Sequence, residues 1–322
     1  MLKAILVAVL ALVLLAQQPA LAAEVGEVRN FGPDLSTTCS FPEGIAADDR
    51  GRIYASSLNA GATSGPANIC VLNRGGRITD VISVAPGPSG VTRLLGMLYV
   101  PGDGLYVGDV ADFGGNGRVL RVDVRTHEAT VIATGFGAPN AFARDSAGNL
   151  WVSDSFAGTI TRIAPDGTTM TFAYPAQLMP LPGENPPFGA NGIAFDPDEQ
   201  YLYVAMTARD QVFRIRYSNG TLGAIELFAQ GTAGGALDGA DGIAFDAAGN
   251  LYVASNQSDQ IAVLSPAGTV IAGYVGTGAD AMSSPASLVF VGRHVYVTDL
   301  ALFHGGVGQK LSTFKAMERG AR

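Results

Sequence analysis

The sequence predicts an all-β fold, a six-bladed β-propeller closed by an N-terminal strand. Three observations predict it. First, an aromatic residue followed by Val or Ala returns six times, at Tyr54, Tyr106, Trp151, Tyr203, Tyr252 and Tyr296, with separations of 52, 45, 52, 49 and 44 residues. A repeat of that period marks a stacked or circular architecture. Second, each aromatic closes a phrase of strand, polar turn and strand, as in residues 44–55, 141–152, 192–204 and 242–253. A second half with alternating apolar residues follows, as in 117–133, 158–174, 210–229 and 259–275. Two hairpins per unit make about four strands, which is one blade. Third, Gly numbers 42 of 322 while charged residues are 15% and hydrophobic residues 48%. That composition suits a packed chain with many tight turns, and the glycines lack the triplet period of collagen.

The elements follow in order. Met1-Leu2-Lys3 is a short positive start, residues 4–16 are unbroken apolar, and Ala20-Leu21-Ala22 is a small-residue cleavage site. This reads as a secretory signal over 1–22, leaving one propeller domain over 23–322. Thirteen apolar residues fall short of the roughly 20 that span a bilayer, so no membrane association is expected after cleavage. The expected location is the periplasm or the exterior, where the even pair Cys39 and Cys70 favours a disulfide. The last unit is short: after Tyr296 one strand-like run remains, residues 309–315. Residues 25–31 then supply the missing outer strand and remove two open sheet edges. The tail 320–322 reads as unpacked. A net charge of −8 disfavours a phosphate backbone as partner, so no nucleic acid is expected.

If the innermost strand of each blade runs from top to bottom, the short turns at 145–149, 165–167 and 246–250 lie below. The long connections at 58–68, 175–190 and 231–240 lie above, where function is expected. Counting back 11 residues from the anchors reaches Glu43, Leu95, Asn140, Asp241 and Pro285; in the fourth unit the turn is one residue longer and the count reaches Asn191. Each is a turn former taken singly. As one slot of a six-fold repeat, Glu43, Asn140, Asn191 and Asp241 converge on the axis. Two carboxylates and two amides without His or Cys suit a hard cation, Ca²⁺ or another divalent ion taking oxygen ligands, and not Zn²⁺.

On these residues the chain resembles the senescence-marker/gluconolactonase/luciferin-regenerating family, and more broadly the calcium-dependent six-bladed hydrolases that include diisopropylfluorophosphatase and paraoxonase. The resemblance rests on Asn191-Gly-Ile-Ala-Phe, Asp241-Gly-Ile-Ala-Phe, Glu43-Gly and Pro139-Asn140-Ala. It implies one metal above the channel held by Glu43, Asn140, Asn191 and Asp241. Gluconolactonases tend to follow the first Glu-Gly with Pro and an aromatic; here Ile45-Ala46 follows. The expected activity is hydrolysis of a small-molecule lactone or related ester, with Asp241 as base or nucleophile. His304, in the upper loop of the last unit, is a second catalytic candidate. Three residues past the anchors lie Asp109, Asp154 and Asp299, which either orient ligands or cap turns. Two other readings share the ring: a non-catalytic propeller of the NHL type that binds a protein or glycan, and a strictosidine-synthase-like propeller.

Overall fold

The computed structural model describes residues 26–321. Residues 1–25, with the signal expected over 1–22, and Arg322 lie outside the described residues. Among the described residues, twenty-four strands form six four-stranded sheets. The innermost strands, A, are Pro42–Ala47, Leu94–Val100, Pro139–Arg144, Ala190–Phe195, Ala240–Phe245 and Pro285–Val291. The second strands, B, are Ile53–Ser57, Gly104–Asp109, Leu150–Asp154, Tyr201–Met206, Leu251–Ser255 and His294–Asp299. Each A strand packs against the next, and the sixth packs against the first, so the sheets close a six-bladed ring. Among the described residues helix is nearly absent: one α-helix of four residues, Pro175–Leu178, lies in the link between blades 3 and 4.

The repeating aromatic has a physical reason. Trp151 is fully buried, and its indole N–H donates to Asp145 Oδ2 at 3.0 Å. Asp145 opens the turn between strands A and B and also accepts the N–H of Asn149 at 2.8 Å. Burial opposes the charge on Asp145, but bonds from Asn149, Trp151 and Tyr217 outweigh it and hold the carboxyl below its ordinary pKa. Tyr54 does the same in blade 1, reaching Asp48 Oδ2 at 3.2 Å. The anchor thus fills the space between blades and ties its polar tip to the lower turn. The hairpin of blade 4 turns through Asn219 and Gly220, both at positive φ (48° and 74°), as a two-residue turn requires.

The ring closes as expected. Arg29–Phe31 pairs antiparallel with Lys310–Lys315, with Arg29 opposite Thr313 and Phe31 opposite Leu311. Phe31 also meets Tyr296 edge-on at 4.7 Å. Cys39 and Cys70 are bonded, with Cα atoms 6.1 Å apart. Cys70 is mid-strand in Ala67–Leu72, and the bridge is buried with Leu35, Ile45, Ile53 and Leu311, between the first and last blades.

The tail is packed, contrary to the sequence expectation. Ala247 N–H donates to Arg319, Gly320 N–H to Gly292, and Ala321 N–H to Phe245, all through backbone oxygens at 2.8–2.9 Å. A side chain at 320 would strike Phe290 at 2.4 Å. Short sequence context hides this, because the contacts are long-range backbone bonds to blades 5 and 6.

Candidate functional site

The site is built by a bulge repeated in every A strand. Pairing with strand B skips between Pro42 and Ile45, Leu94 and Met97, Pro139 and Phe142, Ala190 and Ile193, Ala240 and Ile243, and Pro285 and Leu288. The first skipped residue is Glu43, Leu95, Asn140, Asn191, Asp241 and Ala286 in turn. A bulge re-aims a side chain out of the alternating pattern, here toward the axis. Five of the six slot residues are those counted from the sequence. The sixth is Ala286 and not Pro285, because Tyr296 pairs with Val289, seven residues before it, whereas Tyr252 pairs with Ala244, eight before it.

The second skipped residue explains the recurring Gly. A Cβ on Gly44 would lie 2.3 Å from the carbonyl oxygen of Leu95 in the next blade. On Gly192 it would lie 2.3 Å from the oxygen of Asp241. Hydroxyls on strand B then stitch the inner ring. Ser56 donates to Leu95 O at 2.7 Å, Ser153 to Asn191 O at 2.7 Å, and Thr298 to Glu43 O at 2.6 Å.

Glu43, Asn140, Asn191 and Asp241 line one cavity at the top of the channel, and each is nearly buried. Asn256 joins them, and sequence reading missed it. Its amide N–H donates to Asp241 Oδ2 at 2.8 Å. The signal lay four residues past the aromatic anchor rather than three. Side chains alternate along a strand, so the anchor, the second and the fourth residue share one face. That fourth position holds Ser155, Thr207 and Asn256 in blades 3, 4 and 5. Ser155 accepts Asn140 Nδ2 at 3.0 Å and donates to Ala190 O at 2.7 Å. Thr207 accepts Asn191 Nδ2 at 3.0 Å and donates to Ala240 O at 2.7 Å. With its proton committed to a carbonyl, each hydroxyl can only accept, which fixes the amide and leaves its oxygen toward the cavity.

The third position holds Asp109, Asp154 and Asp299, and these face away from the cavity. Asp154 accepts the backbone N–H of Gly137, Ala138, Phe156 and Ala157. Asp109 pairs with Arg118 at 2.8 Å. Asp299 accepts Ser283 N–H at 3.2 Å and the Ser312 hydroxyl at 2.5 Å. All three bond loop backbone or side chains of the neighbouring strand rather than the slot residues. His304 is also outside the cavity. Its ring, nearly half exposed, lies 2.9 Å from Asp259 on the rim, while its neighbours Leu302 and Phe303 line the wall.

Three buried oxygens of the cavity have no hydrogen-bond partner: Glu43 Oε2, Asp241 Oδ1 and Asn256 Oδ1. No Lys, Arg or His lines the cavity. Burial pushes the Asp241 carboxyl up to about 7, against the bond from Asn256. Burial, and then the charge of Asp241, raises Glu43 well above the carboxylate range. Unpartnered acceptors beside two uncompensated acids want a cation. The set of two carboxylates and three amides fits a hard divalent ion, with room for water among six to eight oxygens. Among the described residues no three His, Cys, Asp or Glu gather at one place, which leaves a soft-metal cage without ligands.

Comparison with known proteins bears on this arrangement. Residues 184–300 match the family described as SMP-30/Gluconolactonase/LRE-like region. The matched stretch covers 117 of the 322 residues. It holds Asn191, Asp241 and Asn256, while Glu43 and Asn140 precede it. A comparison with curated proteins gives no match. Among solved structures, a gluconolactonase from Xanthomonas campestris superposes with TM-score 0.61 at 17% identity, covering 92% of this chain and 97% of that one. A calcium-binding protein, regucalcin, from Agrobacterium tumefaciens gives 0.63 at 18%, covering 91% and 96%. Virginiamycin B lyase from Staphylococcus aureus gives 0.59 at 15%, covering 91% and 100%. At these identities the likeness shows the propeller fold, and chemistry must be argued from the site.

Proposed function

We propose that this chain is an exported, calcium-dependent hydrolase of a lactone or related ester. The observation that carries the reading is the cavity with three partnerless buried oxygens, two of them on acids with no counter-charge. Bound there, Ca²⁺ would draw electron density from the substrate carbonyl. Glu43, Asn140, Asn191, Asp241 and Asn256 would hold it. Asp241 is the base. Its Oδ2 is fixed by Asn256, and Oδ1, which would face the metal through one lone pair, would take the proton of a water directed at the acyl carbon through the other. Glu43 is the anchoring charge, its main chain tied by Thr298. The buried disulfide agrees with export.

The test is calcium titration calorimetry on the purified protein, followed by a lactone and aryl-ester panel with and without chelator. Tight binding with chelator-sensitive turnover supports the reading. Binding of calcium without turnover of any ester would favour the non-catalytic propeller.

A further inference from the structure

The roof above the candidate metal ligands is apolar, and no ligand chemistry so far described uses it. We propose that the site selects esters and lactones bearing a hydrocarbon substituent over polyhydroxylated sugar lactones. This rests on the hydrolase reading above and names its substrate class.

Beyond the five oxygen-bearing residues, the cavity is lined only by Leu58, Leu95, Leu300, Leu302 and by Phe113, Phe188 and Phe303. None of these side chains offers a hydrogen bond. A sugar lactone would bring several hydroxyls to a wall that cannot pair with them, and each unpaired buried hydroxyl is penalised. The cavity volume is about 40 Å³, enough for the reacting group and little more. The substituent therefore lies along the rim. There the surface is aromatic: Phe156 stacks on Phe188 at 5.8 Å and stands 6.1 Å from Phe113. Phe113 and Phe303 are exposed at 40% and 43%.

The rim is also held in place. Phe113 has φ 62° and Ala301, just before Leu302 and Phe303, has φ 58°. Non-glycine residues occupy that region only when their surroundings enforce it. The Arg93 guanidinium lies 5.1 Å over the Phe113 ring and donates to Ala111 O, fixing the loop that carries the ring. A preorganised apolar rim next to an acceptor-lined floor matches a ligand with one polar end and one hydrocarbon end.

In the reaction water adds to the acyl carbon and the bond from that carbon to the ring oxygen breaks. One water proton ends on the leaving oxygen, and the other is released to solvent as the new carboxyl group ionises to the carboxylate.

The test uses the calcium-loaded full-length mature protein. Turnover is measured on γ-lactones with side chains from methyl to hexyl and on glucono-δ-lactone. Binding of the matching 2-alkyltetrahydrofurans, which cannot hydrolyse, is measured by calorimetry. The expected result is a kcat/KM that rises about two- to fourfold per methylene, from the transfer free energy of a partly or fully buried CH₂, with glucono-δ-lactone below the methyl lactone. The ether affinities should rise in parallel. In Phe113→Asn with Phe303→Ser the slope should flatten while calcium affinity holds; Asn is chosen at 113 because it tolerates the left-handed backbone. Preference for glucono-δ-lactone, or no dependence on chain length in either assay, would overturn the proposal and leave the hydrolase reading standing. Ether binding that climbs with length, without turnover of any lactone, would sink the hydrolase reading and keep the apolar specificity.

Discussion

Asp241 and Glu43 are both buried acids on one cavity, yet their surroundings differ. Asp241 has an amide donor on one oxygen and nothing on the other, whereas Glu43 Oε2 has no partner. Removing one charge from each therefore separates two roles. Asp241→Asn should keep calcium, less tightly, and lose about 10²–10⁴-fold of turnover even at saturating calcium, the usual worth of a placed base. Glu43→Gln should lose affinity mainly, with turnover largely restored by excess calcium. Equal rescue of both would reduce Asp241 to a ligand. Asn256→Leu removes one cavity oxygen and the donor that orients Asp241; calorimetry should show calcium bound about 10–100-fold more weakly. Asn256 was invisible to the slot count, because that count tracked only the bulge in strand A. Glu43, Asn140, Asn191 and Asp241 were legible because a bulge recurs at a fixed distance from the anchor. Asp299 tests a different kind of burial. Burial pushes its carboxyl up to about 7, against bonds from Ser312 and Ser283 and the charge of Lys310. A folded pKa above the unfolded value of about 4 means its stabilising state is the protonated one. That contribution is intact below pH 4 and lost as pH rises through 7. In calcium-saturated protein, Asp299→Asn should show a smaller fall in Tm between pH 5 and 8 than the parent. Parallel curves would exclude the effect.

At the scale of the element, the A strand matters through its bulge and the glycine inside it. Gly192 has the Asp241 oxygen 2.3 Å and the Ile243 nitrogen 2.7 Å from where a Cβ would stand. Neither backbone atom can turn aside. Gly192→Ala should push blades 4 and 5 apart, lowering stability by about 1–3 kcal/mol as overpacking does. Asn191 and Asp241 belong to those two strands, so calcium affinity should fall with stability. Gly61, with nothing within 4 Å of its Cβ and no positive φ, is the control, and Gly61→Ala should change neither. Thermal melts and calcium titrations of the two variants decide it. The strands themselves were readable, since alternation and turn residues are local. The shift from Pro285 to Ala286 was not, because the length of one tight turn moves a whole register and several spacings give acceptable turns.

The whole molecule depends on how its ends are fastened. Without Arg29–Phe31 the strand Lys310–Lys315 becomes an open edge and Phe31 leaves Tyr296. Starting the mature chain at Gly32 should therefore lower Tm sharply. Ending it at Ala316 removes the backbone bonds of Arg319, Gly320 and Ala321 and the N–H of Met317 on the Tyr252 hydroxyl. This truncation should also lower Tm, by less. A neutral outcome for the C-terminal cut would contradict the packing of the tail. The six-fold period made the ring and its closing strand legible although the paired residues Arg29 and Thr313 lie 313 − 29 = 284 positions apart, because an unfinished last blade demands a strand from somewhere. The tail offered no such demand. Closure also has a consequence in time. Arg29 is among the earliest of these residues to be synthesised, and its partner Thr313 among the last. Until nearly the whole chain exists, both edges wait unpaired, and the early blades stand as an open arc. Cys39 and Cys70 lie in the first quarter of the chain and can be joined long before. The molecule thus has one fastening available to a growing chain and another reserved for the finished one, so an interrupted product would carry the bridge but never the ring.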